Sequence, residues 1–154
     1  MEKNFLEIFI NAAEGMFSEM FELKAQAGKP MEMDHLAGHD WEVSGIVGIT
    51  GKGKGMMVLR FKQDLILQLL EKVGMTPGST EEIGDLVNGL VGEIVNVVSG
   101  HSISALPHDL DITVPLIVQG GNHRVNWPKF APIYTIPLTT SVGPFEMVVC
   151  FAPD

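Results

Sequence analysis

Two residues of this chain have side chains that could do chemistry together, Glu93 and Asn96. Three positions apart, they are neighbours on the surface of a helix. A carboxylate accepts hydrogen bonds and attracts an ammonium group. A carboxamide both donates and accepts, so it can hold one water molecule in a fixed orientation. Neither is a good nucleophile in this setting, and a metal site would want more ligands. The pair suits a protein that positions water against a phosphoryl group activated elsewhere, because phosphoryl transfer asks mostly for positioning and charge neutralisation. Two plainer origins stand beside this one. Glu-x-x-Asn arises by chance in many helices, and the glycines around it can simply let another helix pack across.

The pair needs a helix with a free face. Over 82–100, at about 100° per residue, Ile83, Leu86, Val87, Leu90, Val91, Ile94, Val95, Val97 and Val98 share one half of the wheel. Asp85, Asn88, Gly89, Gly92, Glu93, Asn96, Ser99 and Gly100 share the other. One side is therefore buried and the other shown. A solvated face normally carries Lys, Glu, Arg and Gln, whereas this one is largely glycine and asparagine. Each interior glycine costs about 1 kcal/mol relative to alanine. A face kept small at that cost implies that something packs close to it. Ser79 or Thr80 is the expected N-cap, with Glu81 and Glu82 in the first turn. Gly100 is the expected stop.

The remaining elements follow from periodicity. Phe5, Ile8, Phe9, Ala12, Ala13, Met16, Phe17, Met20 and Phe21 make one face of a helix over 4–24, ended by Gly28 and Pro30. Residues 31–40 read as polar and irregular. Runs 43–50 and 55–61 flank Gly51-Lys-Gly-Lys-Gly and predict a hairpin. That glycine run joins two strands rather than a strand and a helix, so a turn explains it better than a phosphate cradle. A short helix is expected over 63–73, closed by Gly74. Strands are expected over 112–118, 133–140 and 144–151, the last two joined by Ser141-Val-Gly143.

A weak repeat underlies this order. Asn11-x3-Gly15-Met16-x2-Glu19 aligns with Asn88-x3-Gly92-Glu93-x2-Asn96, and 55–61 aligns with 143–149. The expectation is an α+β fold of two pseudo-symmetric helix-plus-hairpin halves, an antiparallel sheet with long helices packed on it. Only the second half carries the Glu-x-x-Asn pair, so one site per chain is expected.

Composition excludes several alternatives. A chain of 154 residues fits one domain, 1–154. A net charge of −9 repels nucleic-acid backbones. No run approaches the roughly 20 apolar residues of a membrane helix, and no signal peptide opens the sequence. Cys150 stands alone in an apolar run, so it reads as a buried small hydrophobe in a reducing, cytoplasmic setting. His35 and His39, with Asp34 and Asp40 beside them, have the spacing of half a zinc site. Gly38 and the lack of a third ligand favour a loop. His101, His108 and His123 are scattered, and Trp41 and Trp127 read as packing anchors.

Four segments together resemble the CheC/CheX family of chemotaxis phosphatases, and the CheX kind most. They are the hairpin Val43-Ser-Gly-Ile-Val-Gly-Ile-Thr through Leu59-Arg-Phe61, the helix Glu81-Glu-Ile-Gly-Asp-Leu-Val-Asn-Gly-Leu-Val-Gly-Glu-Ile-Val-Asn through Gly100, Asp111-Ile-Thr-Val-Pro115 through Gly120, and Ile136-Pro-Leu-Thr-Thr through Phe151. The resemblance covers about two-thirds of the chain and is weakest over 24–41. It implies a CheC-like fold and dephosphorylation of a CheY-like receiver. Glu93 is then expected to accept the receiver's active-site lysine and Asn96 to orient the attacking water. Gly89, Gly92 and Gly100 are expected to meet the partner. Magnesium is expected on the receiver, with no cofactor or metal bound by this chain. A single motif implies the homodimer of the CheX kind rather than the two-motif monomer of CheC. Two departures appear: Gly89 stands where the family often has an acidic or hydroxyl residue, and Pro115 follows Asn96 sooner than usual. A receiver- or adaptor-binding module without hydrolysis is the alternative. A homodimer whose glycine face is an internal helix contact is a third.

Overall fold

The structure is a computed structural model that describes residues 4–33, 41–121, 127 and 129–154. Its elements run α1 (Asn4–Phe21), β1 (Gln26–Ala27), β2 (Met31–Met33), β3 (Val43–Gly51), β4 (Gly53–Phe61), α2 (Gln63–Lys72), α3 (Thr80–Ala105), β5 (Leu110–Ile112), β6 (Leu116–Gln119), β7 (Ile133–Thr140) and β8 (Gly143–Pro153). The strands form one antiparallel sheet in the order β1-β7-β8-β4-β3-β5, with β2 also on β7 and β6 also on β3.

The expected halves are present, and each is richer than the sequence shows. Each is a long helix, two short strands and a hairpin, and α2 joins them. The seam is the β4–β8 pair, where Leu59 faces Met147. These are the residues that the repeat aligns, so a pseudo-two-fold axis passes between them. The short strands cross over: β1 and β2 of the first half pair with β7 of the second, and β5 and β6 of the second pair with β3 of the first. Both crossings contain the same slip. From Gln26 to Met31 the chain advances five positions while its partners, Thr139 to Thr135, move four. From Ile112 to Leu116 it advances four while Ile49 to Ile46 moves three. Pro30 and Pro115 end the two interruptions. A proline has no N–H to give a ladder, so it suits a break in an edge strand.

Alternation along the strands divides the sheet into two faces. Met57, Leu59, Phe61, Phe145, Met147, Val149, Ile136 and Leu138 face α1 and α3 and form the main core. From α1 it receives Phe9, Phe17 and Phe21, all essentially fully buried. Phe17 stacks on Phe145 with ring centroids 4.7 Å apart. Each such ring contributes roughly 1.5–3 kcal/mol of burial. The opposite face holds a smaller cluster of Val58, Val148, Cys150 and Ile133, against which Trp127 packs.

Several expected boundaries are corrected. α1 stops at Phe21, before Gly28 and Pro30. Glu22 takes a left-handed φ of 55°, and its N–H bonds Ser18 O, the single bond of a left-handed helix cap, while Leu23 N–H reaches back to Phe17 O. Part of the stretch expected to be irregular is β2, a strand made only by its pairing with β7. The first hairpin is tighter than expected, since β3 runs to Gly51 and β4 begins at Gly53. The single strand expected over 112–118 is two, separated by the slip. Gly74, with φ 81°, closes α2 as expected.

Candidate functional site on helix α3

α3 begins as the sequence predicts. Ser79 is the N-cap, its side chain accepting from Glu82 N–H at 3.3 Å, and the Glu82 carboxylate accepts from Gly78 N–H at 2.9 Å. It does not stop at Gly100. The helix continues to Ala105, and Leu106 is the C-cap, followed by Pro107. Two buried serine hydroxyls find their partners within the helix: Ser99 Oγ donates to Val95 O at 2.6 Å and Ser102 Oγ to Val98 O at 2.7 Å. Ser99 therefore belongs to the buried side, not to the shown face. The helix lies against β3, β4, β5 and β6 and alongside α1. Gln119 Nε2 ties its first half to β6 by donating to Gly84 O at 2.9 Å.

On this base Ile94 and Val95 are fully buried while Glu93 and Asn96 stand exposed. The pair is thus presented outward, one turn apart, from a helix anchored on its other side. Asn88 and Gly89 are exposed as well, and Gly92 and Gly100 are half-buried. A Cβ placed at Gly84, Gly89, Gly92 or Gly100 meets nothing within 4 Å. That excludes the reading in which the glycines admit another helix of this chain, because α1 does not cross this face. It equally removes the version in which Glu93 and Asn96 are covered by α1.

The first half shows no matching pair. Met16, aligned with Glu93, is buried in the core, and Glu19, aligned with Asn96, is exposed.

Of the other candidates, His101 is exposed and His108 half-buried, its ring centroid 6.0 Å from that of Phe151. His35, His39, Asp34, Asp40 and His123 lie outside the described residues. Among the described residues no three His, Cys, Asp or Glu side chains converge where they could hold a metal ion. No described helix is long and apolar enough to cross a membrane. Two shallow surface depressions, one beside Glu14, Ser18 and Glu22 and one beside Lys52, Asp109 and Asp111, include neither Glu93 nor Asn96.

The model of the family described as chemotaxis phosphatase CheX matches residues 43–139, from β3 into β7 and including all of α3. This chain belongs to the CheX family. Solved structures agree with that assignment. A chemotactic CheC-like protein from Shewanella oneidensis MR-1 is 31% identical over 99% of this chain and 100% of its own, with a TM-score of 0.79. A CheC-like superfamily protein from Shewanella sp. PV-4 is 27% identical over 99% of each chain, with a TM-score of 0.83. The CheX of a CheX-CheY-BeF3-Mg complex from Borrelia burgdorferi shares the fold at 21% identity, covering 96% of this chain and 97% of its own, with a TM-score of 0.80. No curated protein matches the sequence.

Proposed function

We propose that this chain hydrolyses the aspartyl phosphate of a CheY-like receiver, with Glu93 and Asn96 entering the receiver's active site. The observation that carries the reading is the joint exposure of the pair on a helix face left open by glycine. Membership of a phosphatase family supports it. So does the Borrelia complex, in which a protein of this fold meets CheY with BeF3 and Mg.

In this mechanism the Glu93 carboxylate accepts hydrogen bonds from the receiver's lysine ammonium and fixes the register of docking. The Asn96 carboxamide accepts from a water proton and holds the water oxygen in line with the phosphorus–oxygen bond to the aspartate. Attack forms the new P–O bond as the bond to the aspartyl oxygen breaks. The products are inorganic phosphate and a free aspartate carboxylate. Magnesium, held by the receiver, neutralises phosphoryl charge. This chain contributes position and one oriented amide. Gly89, Gly92 and Gly100 let the receiver's backbone come close to the helix.

Decay of phosphorylated receiver is measured with wild type, Glu93→Ala and Asn96→Ala. Each substitution is expected to cost on the order of 10- to 1,000-fold in rate, and equal decay in all three overturns the assignment. Tight binding of the phosphorylated receiver with no release of phosphate establishes the binding-module alternative instead. Sedimentation of the free chain tests the homodimer that the family resemblance implies.

A further inference from the structure

On the helix-facing side of the sheet one cross-strand row reads Ile117, Gly45, Leu59, Met147, Ile136. Leu59 and Met147 flank the pseudo-two-fold axis, so Gly45 and Ile136 occupy equivalent places in the two halves. One has no side chain and the other is a fully buried isoleucine. The helices above differ accordingly: α3 approaches the backbones of β3 and β4 more closely than α1 approaches those of β7 and β8.

The notch at Gly45 is filled. A Cβ there would lie 2.4 Å from Val95 Cγ2, 3.0 Å from Val91 Cγ1 and 3.5 Å from Ile117 Cδ1. Carbon atoms prefer about 3.5–4.0 Å, so even a methyl group demands a shift of about 1 Å beside Val95. Val95 cannot turn aside cheaply, because a β-branched residue in a helix is confined to essentially one rotamer. The helix itself must move. Val91 and Val95 belong to the same turns as Glu93 and Asn96, so what sits in the notch sets the height and roll of the pair.

We infer that Gly45 is a positioning residue for the Glu93–Asn96 pair: its missing side chain seats α3 so that both groups project at the geometry the reaction needs. The inference rests on the phosphatase reading for its kinetic consequence, not for its geometry. A misplacement of about 1 Å can cost about 100-fold in rate.

The test compares wild type, Gly45→Ala, Val95→Ala and the double variant with a phosphorylated CheY-like receiver. Gly45→Ala is expected to lower kcat about 10- to 100-fold with KM changed less than about threefold, since the docking surface keeps its residues. Shortening the side chain that the new methyl strikes is expected to bring the double variant within about threefold of Val95→Ala. Val58→Ala, on the opposite face of the sheet, is expected to lower Tm and leave kcat unchanged. A folded Gly45→Ala with wild-type kcat overturns the inference, as does a folded double variant that recovers nothing. If Gly45→Ala alone does not fold, the comparison of the double variant with Val95→Ala decides by the same threefold criterion. If wild type itself leaves the receiver phosphorylated, the phosphatase reading fails and crystal structures judge the notch. α3 of Gly45→Ala, or of the double variant against Val95→Ala, must then stand further from β3 beside residue 95, and an unmoved helix overturns the inference.

Discussion

Arg60 of β4 and Glu146 of β8 lie directly opposite each other on the seam between the halves, Nη1 donating to Oε1 at 3.1 Å. Their side chains are only 5% and 19% exposed. Burial pushes the Glu146 carboxyl above its ordinary 4.5, and the charge and hydrogen bond of Arg60 draw it back only in part. Desolvation therefore outweighs the attraction, as it often does for buried pairs. Arg60→Met, which leaves the buried Glu146 carboxylate without the charge that draws it back, is expected to cost about 3–5 kcal/mol at neutral pH. Arg60→Met with Glu146→Leu is expected to cost far less, because both charges leave together. Urea titrations of the three proteins check this.

The same carboxyl has a pH signature. With its folded pKa raised, the native state holds this proton longer than the unfolded chain as pH rises. The contribution is complete below 4.5 and is lost as pH climbs through the raised value. Melting temperatures taken from pH 4 upward should fall more steeply for wild type than for Glu146→Gln across that window. Parallel curves would exclude the effect.

Gly89 and Gly92 give opposite signs for stability and function. A Cβ fits at both positions without contact, so Gly89→Ala and Gly92→Ala are each expected to stabilise the chain by about 1 kcal/mol. If the face meets a receiver, the same changes reduce phosphatase activity. Thermal melts alongside the decay assay separate the two effects.

Cys150 sits fully buried on the sheet face away from the helices, where burial raises its thiol to about 11 despite a hydrogen bond with the Met56 backbone. It is expected to resist a thiol reagent at pH 8 in the native state and to react promptly in denaturant. Rapid labelling of the native protein would contradict this.

Ser79→Ala, which removes the N-cap acceptor of α3, is expected to cost about 1 kcal/mol. Because the cap lies several turns from Asn96, kcat at saturating receiver should stay at the wild-type value. Chemical denaturation and steady-state kinetics read the two numbers.

Local patterns were readable wherever the cause was local. The 3.6-residue period shows which side of α3 is buried, and it isolates Glu93 and Asn96 without tertiary information. Ser79 and Gly74 act through their own backbone neighbours. The failures share a distant cause. Gly100 is a strong stop signal, yet Ser102 and Leu106 are buried beyond it and the helix continues until Leu106 and Pro107. β1 and β2 exist only because β7 lies beside them. Glu22 is the local exception, a left-handed terminus where sequence rules look for glycine. Gly45 looks like one more small residue in a strand until Val91 and Val95 are laid on it.

The exchange of short strands has a consequence for how the molecule holds together. Each hairpin has its outer edge covered by the other repeat, so neither repeat is a self-sufficient unit. A chain severed in the α2–α3 connection would yield two fragments that each present an open β edge and half of a hydrophobic layer. Such pieces are built to find one another and ill suited to exist apart, and α2 acts as the tether that keeps the encounter intramolecular. The protein is in effect an obligate heterodimer written on one chain, in which one member shows Glu93 and Asn96 on its surface while the other keeps Met16 turned inward.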